Sequence, residues 1–376
     1  MNKAVQLLTG LVSAMAVTSA NAGGWGINLR EGVTDLSHEI YDLHMLVFWV
    51  CVIIGVLVFG VMIYSMVHHR ASKGHKAATF HESTLAEILW TIAPILVLGF
   101  LTVPAAKALI KIEDSSNSDM TIKVTGYQWK WQYEYPEEGI SFFSSMSDPS
   151  RKASVRDSGI DPNSVEHYLL DVDNPVVIPV GKKVRFLFTS NDVNHAWWVP
   201  DLAVKKDAIP GFINDMWANV TEPGTYRGQC AELCGKDHGF MPIVVIAKEQ
   251  ADYDAWVSEQ LASAEETKAA SEKTWDRDAL MAQGEKVYAS SCAACHQAGG
   301  QGIPGVFPAI TGSPTVTGEI GEHLNTIMNG RTGTAMQAYA GQLNDADIAA
   351  VTTFQRNGLG NAVGDMVQPA DVKALR

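Results

Sequence analysis

The chain has 376 residues, of which 47% are hydrophobic and 18% charged, and its formal net charge at pH 7 is −13. That length exceeds one ordinary domain and predicts two or three. The hydrophobic excess points to membrane-embedded sequence in an otherwise water-soluble chain, and the acidic balance argues against a nucleic-acid partner and suits docking to a basic protein. The five cysteines fall as Cys51 alone and two close pairs, Cys230/Cys234 and Cys292/Cys295. Close pairs mark cofactor ligation rather than a disulfide framework.

Residues 1–22 begin with a basic residue, Lys3, continue through an apolar run and end in Ala20-Asn21-Ala22. This predicts a secretory signal peptide cleaved after Ala22, the alternative being a short first membrane helix. Residues 23–112 then predict a transmembrane hairpin. Its spans, about 43–67 and 88–110, are nearly free of charge and long enough to cross a bilayer, and Pro94 and Pro104 within the second are tolerated there. The connecting sequence HHRASKGHK at 68–76 is short and basic, which places it in the cytoplasm. Everything beyond about residue 111 is therefore exported. Glu87, at the cytoplasmic end of the second span, is either an interfacial anchor or part of a proton path, and the residues alone favour the anchor.

Residues 113–250 predict an all-β domain. The segments 121–125, 129–135, 174–179, 183–189 and 243–247 are short, β-branched or aromatic, and bounded by Gly, Pro, Asn and Asp. Such strands without intervening helices make a sandwich or barrel. The chemistry lies in CAELCGKDHGFM at 230–241 together with His195 from an earlier strand end. Cys230, Cys234, His195, His238 and Met241 form a soft sulfur-and-nitrogen donor set that favours copper. A loop supplying most ligands just before the last strand is how cupredoxin sheets hold copper. Two cysteines with three residues between them let both sulfurs bridge two metals, with one histidine for each, Met241 as a weak ligand to one and the Glu232 carbonyl available to the other. The competing reading is a structural Cys2His2 zinc site.

Residues 251–276 predict a helix running into a polar linker, and 277–376 a second exported domain. There CAACH at 292–296 is the signature of covalent c-type haem attachment through Cys292 and Cys295, with His296 as the proximal iron ligand. A helical segment at 278–288 precedes it and a capped final helix at 344–356 follows it. The sixth iron ligand is expected between them. Met336 in GTAM at 333–336 is best placed, Met328 sits in a helical stretch and suits the core, and His323 is a weaker rival. Methionine ligation would raise the potential, as suits an electron carrier.

From about 40 to 260 the chain resembles subunit II of haem-copper cytochrome c oxidase. The resemblance rests on EILWT at 87–91, GYQWKWQYEY at 126–135, NHAWWVP at 194–200, KDAIPG at 206–211 and the 230–241 loop. Residues 277–360 resemble class I cytochrome c, and the fusion is similar to caa3-type bacterial oxidases. The fold implied is multidomain: a two-helix transmembrane hairpin, an all-β cupredoxin-like Greek-key domain and an all-α class I cytochrome c domain. The resemblance implies a dinuclear copper A centre on His195, Cys230, the Glu232 carbonyl, Cys234, His238 and Met241. It further implies electrons entering through Trp129, Glu87 at the mouth of a proton channel in subunit I (which reverses the anchor reading), and a magnesium site near Glu232 and Asp207 shared with subunit I. Two departures stand out: Lys130 replaces the usual aromatic after the tryptophan, and Gln337 replaces the proline that often follows the axial methionine.

The implied function is electron transfer from a soluble cytochrome c or the bc1 complex, through haem and copper A, to subunit I, where oxygen is reduced in a proton-pumping complex that includes subunit III. The implied location is the bacterial inner membrane with the C-terminal domains on the periplasmic face. The chain lacks the membrane histidines an oxygen site needs. The alternatives are a freestanding membrane-anchored electron-transfer protein, against which the paired spans argue, and the copper-A subunit of a nitric oxide reductase.

Overall fold

A computed structural model describes residues 28–376, and the signal-peptide reading of 1–22 lies outside them. The described chain opens with two long helices, α1 (Asp35–His68) and α2 (Thr84–Glu113), both long and apolar enough to cross a membrane. Thr34 starts α1 with a reciprocal cap. Its hydroxyl accepts from Ser37 N and its own N–H donates to Ser37 Oγ, both at 2.9 Å. Both helices turn large apolar side chains outward on every side, as a helix in lipid does. They outrun the apolar segments 43–67 and 88–110. At 1.5 Å per residue a 34-residue helix is about 51 Å long, well beyond a hydrocarbon layer of about 30 Å. The additional N-terminal turns of α1 carry Asp35, Glu39 and Asp42 and stand clear of the lipid.

Those polar ends are fastened to the next domain. Thr34 Oγ1 donates to Leu202 O at 3.2 Å, Trp217 Nε1 donates to Lys111 O at 3.0 Å, and Lys206 pairs with Glu113 at 3.2 Å. The hairpin therefore fixes how the exported domain stands on the membrane.

That domain is a sandwich of ten strands: β1 (Met120–Tyr127), β2 (Lys130–Tyr135), β3 (Ile140–Ser144), β4 (Val176–Pro179), β5 (Val184–Ser190), β6 (His195–Val199), β7 (Val204–Ala208), β8 (Asn214–Ala218), β9 (Gly224–Cys230) and β10 (Pro242–Lys248). One sheet runs β3-β2-β1-β5-β8 and the other β4-β10-β9-β6-β7. The β1/β5 and β4/β10 pairs are parallel and the rest antiparallel. In β5 the period of two is plain, with Val184, Phe186, Phe188 and Ser190 buried and the residues between them half-buried. The core is aromatic: Phe186 stacks on Trp197 with centroids 5.2 Å apart, and Trp197 Nε1 finds its partner in Tyr133 Oη at 3.1 Å.

Helix α3 (Gln250–Ser271) packs its first turns on the sandwich, with Tyr253 buried and Trp256 5.2 Å from the Tyr135 ring. Besides a single turn at Pro314–Thr317, the C-terminal domain carries α4 (Arg277–Ser291), α5 (Ala293–His296), α6 (Ile320–Asn329) and α7 (Asp345–Asn357). Asp276 caps α4 by accepting from Ala279 N at 2.8 Å, and Asn344 caps α7 by accepting from Asp347 N at 2.9 Å. Helix α7 is not the last. Gln368 and Asp371 form a capping box around Pro369 and start α8 (Pro369–Lys373), a short helix that lacks the long apolar period by which α7 is recognised.

Helices α4 and α7 meet at Gly284, where an added Cβ would fall 2.2 Å from Ala350 O and 2.6 Å from Phe354 Cβ. Backbone this close leaves no room for a side chain. Gly284→Val should destabilise the C-terminal domain by about 1–3 kcal/mol or more, seen as a lower midpoint when unfolding is followed by haem absorbance; an unchanged midpoint would contradict this packing.

Candidate metal centre

Three adjacent strands of one sheet bring the soft donors together. His195 is the first residue of β6, Cys230 is the last of β9, and Met241 immediately precedes β10. Because β10, β9 and β6 are neighbours, the loop 231–240 folds over their common end and delivers Cys234 and His238 to the same place. His195, Cys230, Cys234 and Met241 are all buried.

The Cys230 and Cys234 sulfurs lie 3.8 Å apart. That is far beyond a disulfide bond of about 2.05 Å, yet close enough for one metal to touch both at about 2.3 Å. His195 Nδ1 is 3.9 Å from Cys230 Sγ, and His238 Nδ1 is 3.5 Å from Cys234 Sγ. Met241 Sδ lies 3.5 Å from Cys234 Sγ, and Glu232 O lies 3.3 Å from Cys230 Sγ. A buried thioether within reach suits copper and adds nothing to a zinc site. Contact with Cys234, assisted by His195, favours the Cys230 thiolate, and the same contact pushes the Cys234 thiol up, so the pair loses its first proton readily.

Supporting groups orient these donors. His195 Nε2 faces Asp192 Oδ1 at 2.9 Å, which keeps its proton on that side and leaves Nδ1 turned toward Cys230. Burial works against a charged His195, but the Asp192 carboxylate and Cys230 outweigh it and hold the pKa above the ordinary value. The Cys234 carbonyl accepts from Gln128 Nε2 at 2.8 Å and from Trp129 Nε1 at 3.3 Å. Gly235 lets the loop pass this close: its φ is +118°, and a Cβ there would lie 2.9 Å from Gln128 Nε2. The tryptophan thus touches the metal loop directly. Reasoning from sequence missed Asp192 and Gln128 as supporting groups; the spacing of Asp192 three residues before His195 was the available signal.

Cys292 and Cys295 are both free and partly buried around the turn α5. His296 Nδ1 faces Pro308 O at 2.8 Å, leaving Nε2 as the ligand nitrogen for an iron. These residues fit a covalently attached haem. Met336 sits half-buried in the loop between α6 and α7, whereas Met328 is buried in the core. His323 is buried and faces Gln355 Oε1 at 2.8 Å, inside the helix packing.

Glu87 is exposed in the first turn of α2 and caps no metal cluster. With 30 residues in that helix, it lies about 40 Å along the axis from the sandwich end. Asp207 in β7 and Glu232 are both exposed. Among the described residues, the group of His, Cys, Asp and Glu close enough to share a metal is His195, Cys230 and Cys234, and neither Asp207 nor Glu232 belongs to it.

Fold and site together define a membrane-anchored electron-transfer protein with a copper domain and a c-type haem domain. Residues 120–248 match the family model for the cytochrome c oxidase subunit II periplasmic domain, and 22–108 match that for its transmembrane domain. Residues 279–354 match the model described as cytochrome c oxidase, cbb3-type, subunit III. A probable cytochrome c oxidase subunit 2 of Rickettsia bellii is 36% identical over 234 residues, which is 62% of this chain and 84% of that one. Cytochrome c oxidase subunit 2 of Arabidopsis thaliana is 37% identical over 238 residues, 63% of this chain and 90% of that one. The solved periplasmic domain of oxidase subunit II from Bradyrhizobium japonicum is 39% identical, covers 40% of this chain and 98% of its own, and gives a TM-score of 0.35. The chain belongs to the cytochrome c oxidase subunit II family.

Burial pushes the His323 pKa down from 6.5 to about 4. The folded state therefore binds fewer protons than the unfolded one between these values, so stability is complete above about pH 6.5 and falls as the pH drops toward 4. The loss is on the order of 3 kcal/mol. Acid melting of the C-terminal domain should show this loss, and His323→Gln should flatten it in that window; an identical pH profile in the variant would sink the assignment.

Proposed function

We propose that this chain is the electron-receiving subunit of a haem-copper oxidase, passing electrons from a donor cytochrome through its own haem and a dinuclear copper A centre to subunit I. One observation carries the order of transfer. Lys236, between Cys234 and His238 in the metal loop, donates to Ala294 O at 3.0 Å, and Ala294 lies between the two haem cysteines. The loops that hold the two redox groups are in direct contact.

Bound copper and haem supply one-electron redox chemistry, which no side chain here provides alone. The residues do the rest. Cys230 and Cys234 would hold the copper through their sulfurs, His195 and His238 through one nitrogen each, and Met241 and the Glu232 carbonyl would be weaker donors. What supports two coppers rather than one zinc is the number and spread of donors. Mutual separations within 4.8 Å gather His195, Cys230 and Cys234 but leave His238 outside, on the Cys234 side. Trp129, hydrogen-bonded to Cys234 O, provides the aromatic contact between donor and metal loop. His296 and Met336 would be the two protein ligands to the iron.

The membrane-anchored arrangement with a periplasmic sandwich fits a bacterial inner membrane. Subunit I would cover exposed apolar groups such as Leu233, which is 77% exposed between the two cysteines. Glu232 and Asp207 would reach a magnesium ion only with groups from that subunit. Glu87, on the cytoplasmic side, would serve at a proton-channel mouth. Subunit III and a soluble cytochrome c or bc1 complex complete the assembly.

In the purified complex, Cys230→Ser should abolish the near-infrared copper absorption and oxygen uptake driven by reduced cytochrome c, with the haem spectrum intact. Retained copper absorption would overturn the metal assignment. Met336→His should lower the haem potential; no change would assign the sixth position elsewhere.

A further inference from the structure

The two departures from family pattern, Lys130 and Gln337, meet across the boundary between the copper and haem domains. Gln337 follows Met336 and donates through Nε2 to Asp192 Oδ2 at 3.0 Å. The same carboxylate oxygen accepts the backbone N–H of Gln128 at 2.7 Å, while Oδ1 faces His195 Nε2 at 2.9 Å. Lys130 is buried, with Nζ 4.4 Å from the Phe143 centroid and 5.6 Å from that of Tyr339, two residues beyond Gln337. The loop after Met336 thus touches Lys130 through Tyr339 and, through Gln337, the carboxylate that also holds the Gln128 amide.

We propose that Asp192 and Gln337 are positioning residues for internal electron transfer, forming a latch that seats the methionine loop of the haem domain on the turn just before β6, beside His195. The proposal rests on the haem-to-copper reading above and deepens it by naming the contact that sets the docked geometry. A proline at position 337 would have no amide to donate. Glutamine spans the gap with an uncharged donor. The route from haem loop to copper ligand is then short and polar: Met336, one peptide to Gln337, one hydrogen bond to Asp192, and one more to His195. A cation over two aromatic rings at Lys130 holds the other side of the same loop.

The contact also bears on which donors the copper can use. With Tyr339 over Lys130 and Gln337 on Asp192, the chain's own haem domain occupies the surface beside Trp129. An outside donor would meet the haem domain first.

The test uses the purified oxidase complex with both redox groups in place. Gln337→Glu sets a carboxylate against Asp192 and should undock the loop; Gln337→Asn is the shorter, uncharged control. Haem-to-copper transfer after photoreduction of the haem should slow roughly tenfold in Gln337→Glu, the equilibrium change carried by one hydrogen bond to a charged acceptor, and less in Gln337→Asn. Hydrogen exchange at 334–339 should rise with it, while the near-infrared copper band and the methionine–iron band stay in place. Asp192→Asn should slow transfer and, in addition, shift the copper band through His195. Unchanged transfer and exchange in Gln337→Glu would overturn the latch. A lost methionine–iron band in Gln337→Glu would assign the residue to ligand geometry instead, and also overturn it. Absence of any haem-to-copper transfer in the wild-type complex would overturn the underlying reading rather than the latch alone.

Discussion

A metal centre built from thiolates, imidazoles and a thioether has to hold its donors a few ångströms apart before any metal arrives, and it has to do so away from water. Here the adjacency of β10, β9 and β6 meets that requirement. Each strand contributes its end, so His195, Cys230 and Met241 inherit their separation from the hydrogen-bonded spacing of one sheet. The intervening loop then needs to place only Cys234 and His238. Behind the site stands the aromatic layer of Trp131, Phe186, Phe188 and Trp197, buried completely and packed against the second sheet. A sandwich is a rigid support for this purpose because slipping one strand by one residue would turn every core side chain outward.

The rest of the molecule arranges itself around that end of the sandwich. The membrane helices are fastened through Thr34, Lys111 and Glu113 to the loops and strands around Leu202, Lys206 and Trp217. Helix α3 grips the far edge near Tyr135 and leads into the haem domain, where Trp275 is held by Gln368, which donates to Trp275 O at 2.9 Å and accepts from its N–H at 2.9 Å. Tethered through a helix instead of a loose chain, the haem domain returns to the copper loop with little freedom left to lose, and that lowers the entropy cost of docking. Glu87 and the sandwich stand at opposite ends of α2.

Buried polar groups at the domain boundary explain why two side chains depart from the pattern of their families. Desolvation lowers the Lys130 pKa to about 8. Such a residue is tolerated because aromatic faces surround it. Gln337 is half-buried at the same boundary, where it donates to the Asp192 carboxylate that already faces His195.

The sequence by itself determined the chemistry. CAACH at 292–296 and the Cys230–Met241 loop present their candidate donors through local spacing, and the resemblance to the oxidase subunit II family turned that soft donor set toward copper. The two apolar spans, the caps Asp276 and Asn344, and the β-branched strands β1, β5 and β10 were legible for the same reason: each is set by neighbours in sequence. Strands β7, β8 and β9, with the sequences VKKDA, NDMWA and GTYRGQC, were not, since they are held as strands by pairing with β6, β5 and β10 and have little strand character of their own. Tertiary structure alone decided that His323 pairs with Gln355 inside the helical core, that Gln337 reaches Asp192, and that the haem loop lies on the copper loop. Those are contacts between residues tens to more than a hundred positions apart, and no local propensity encodes them.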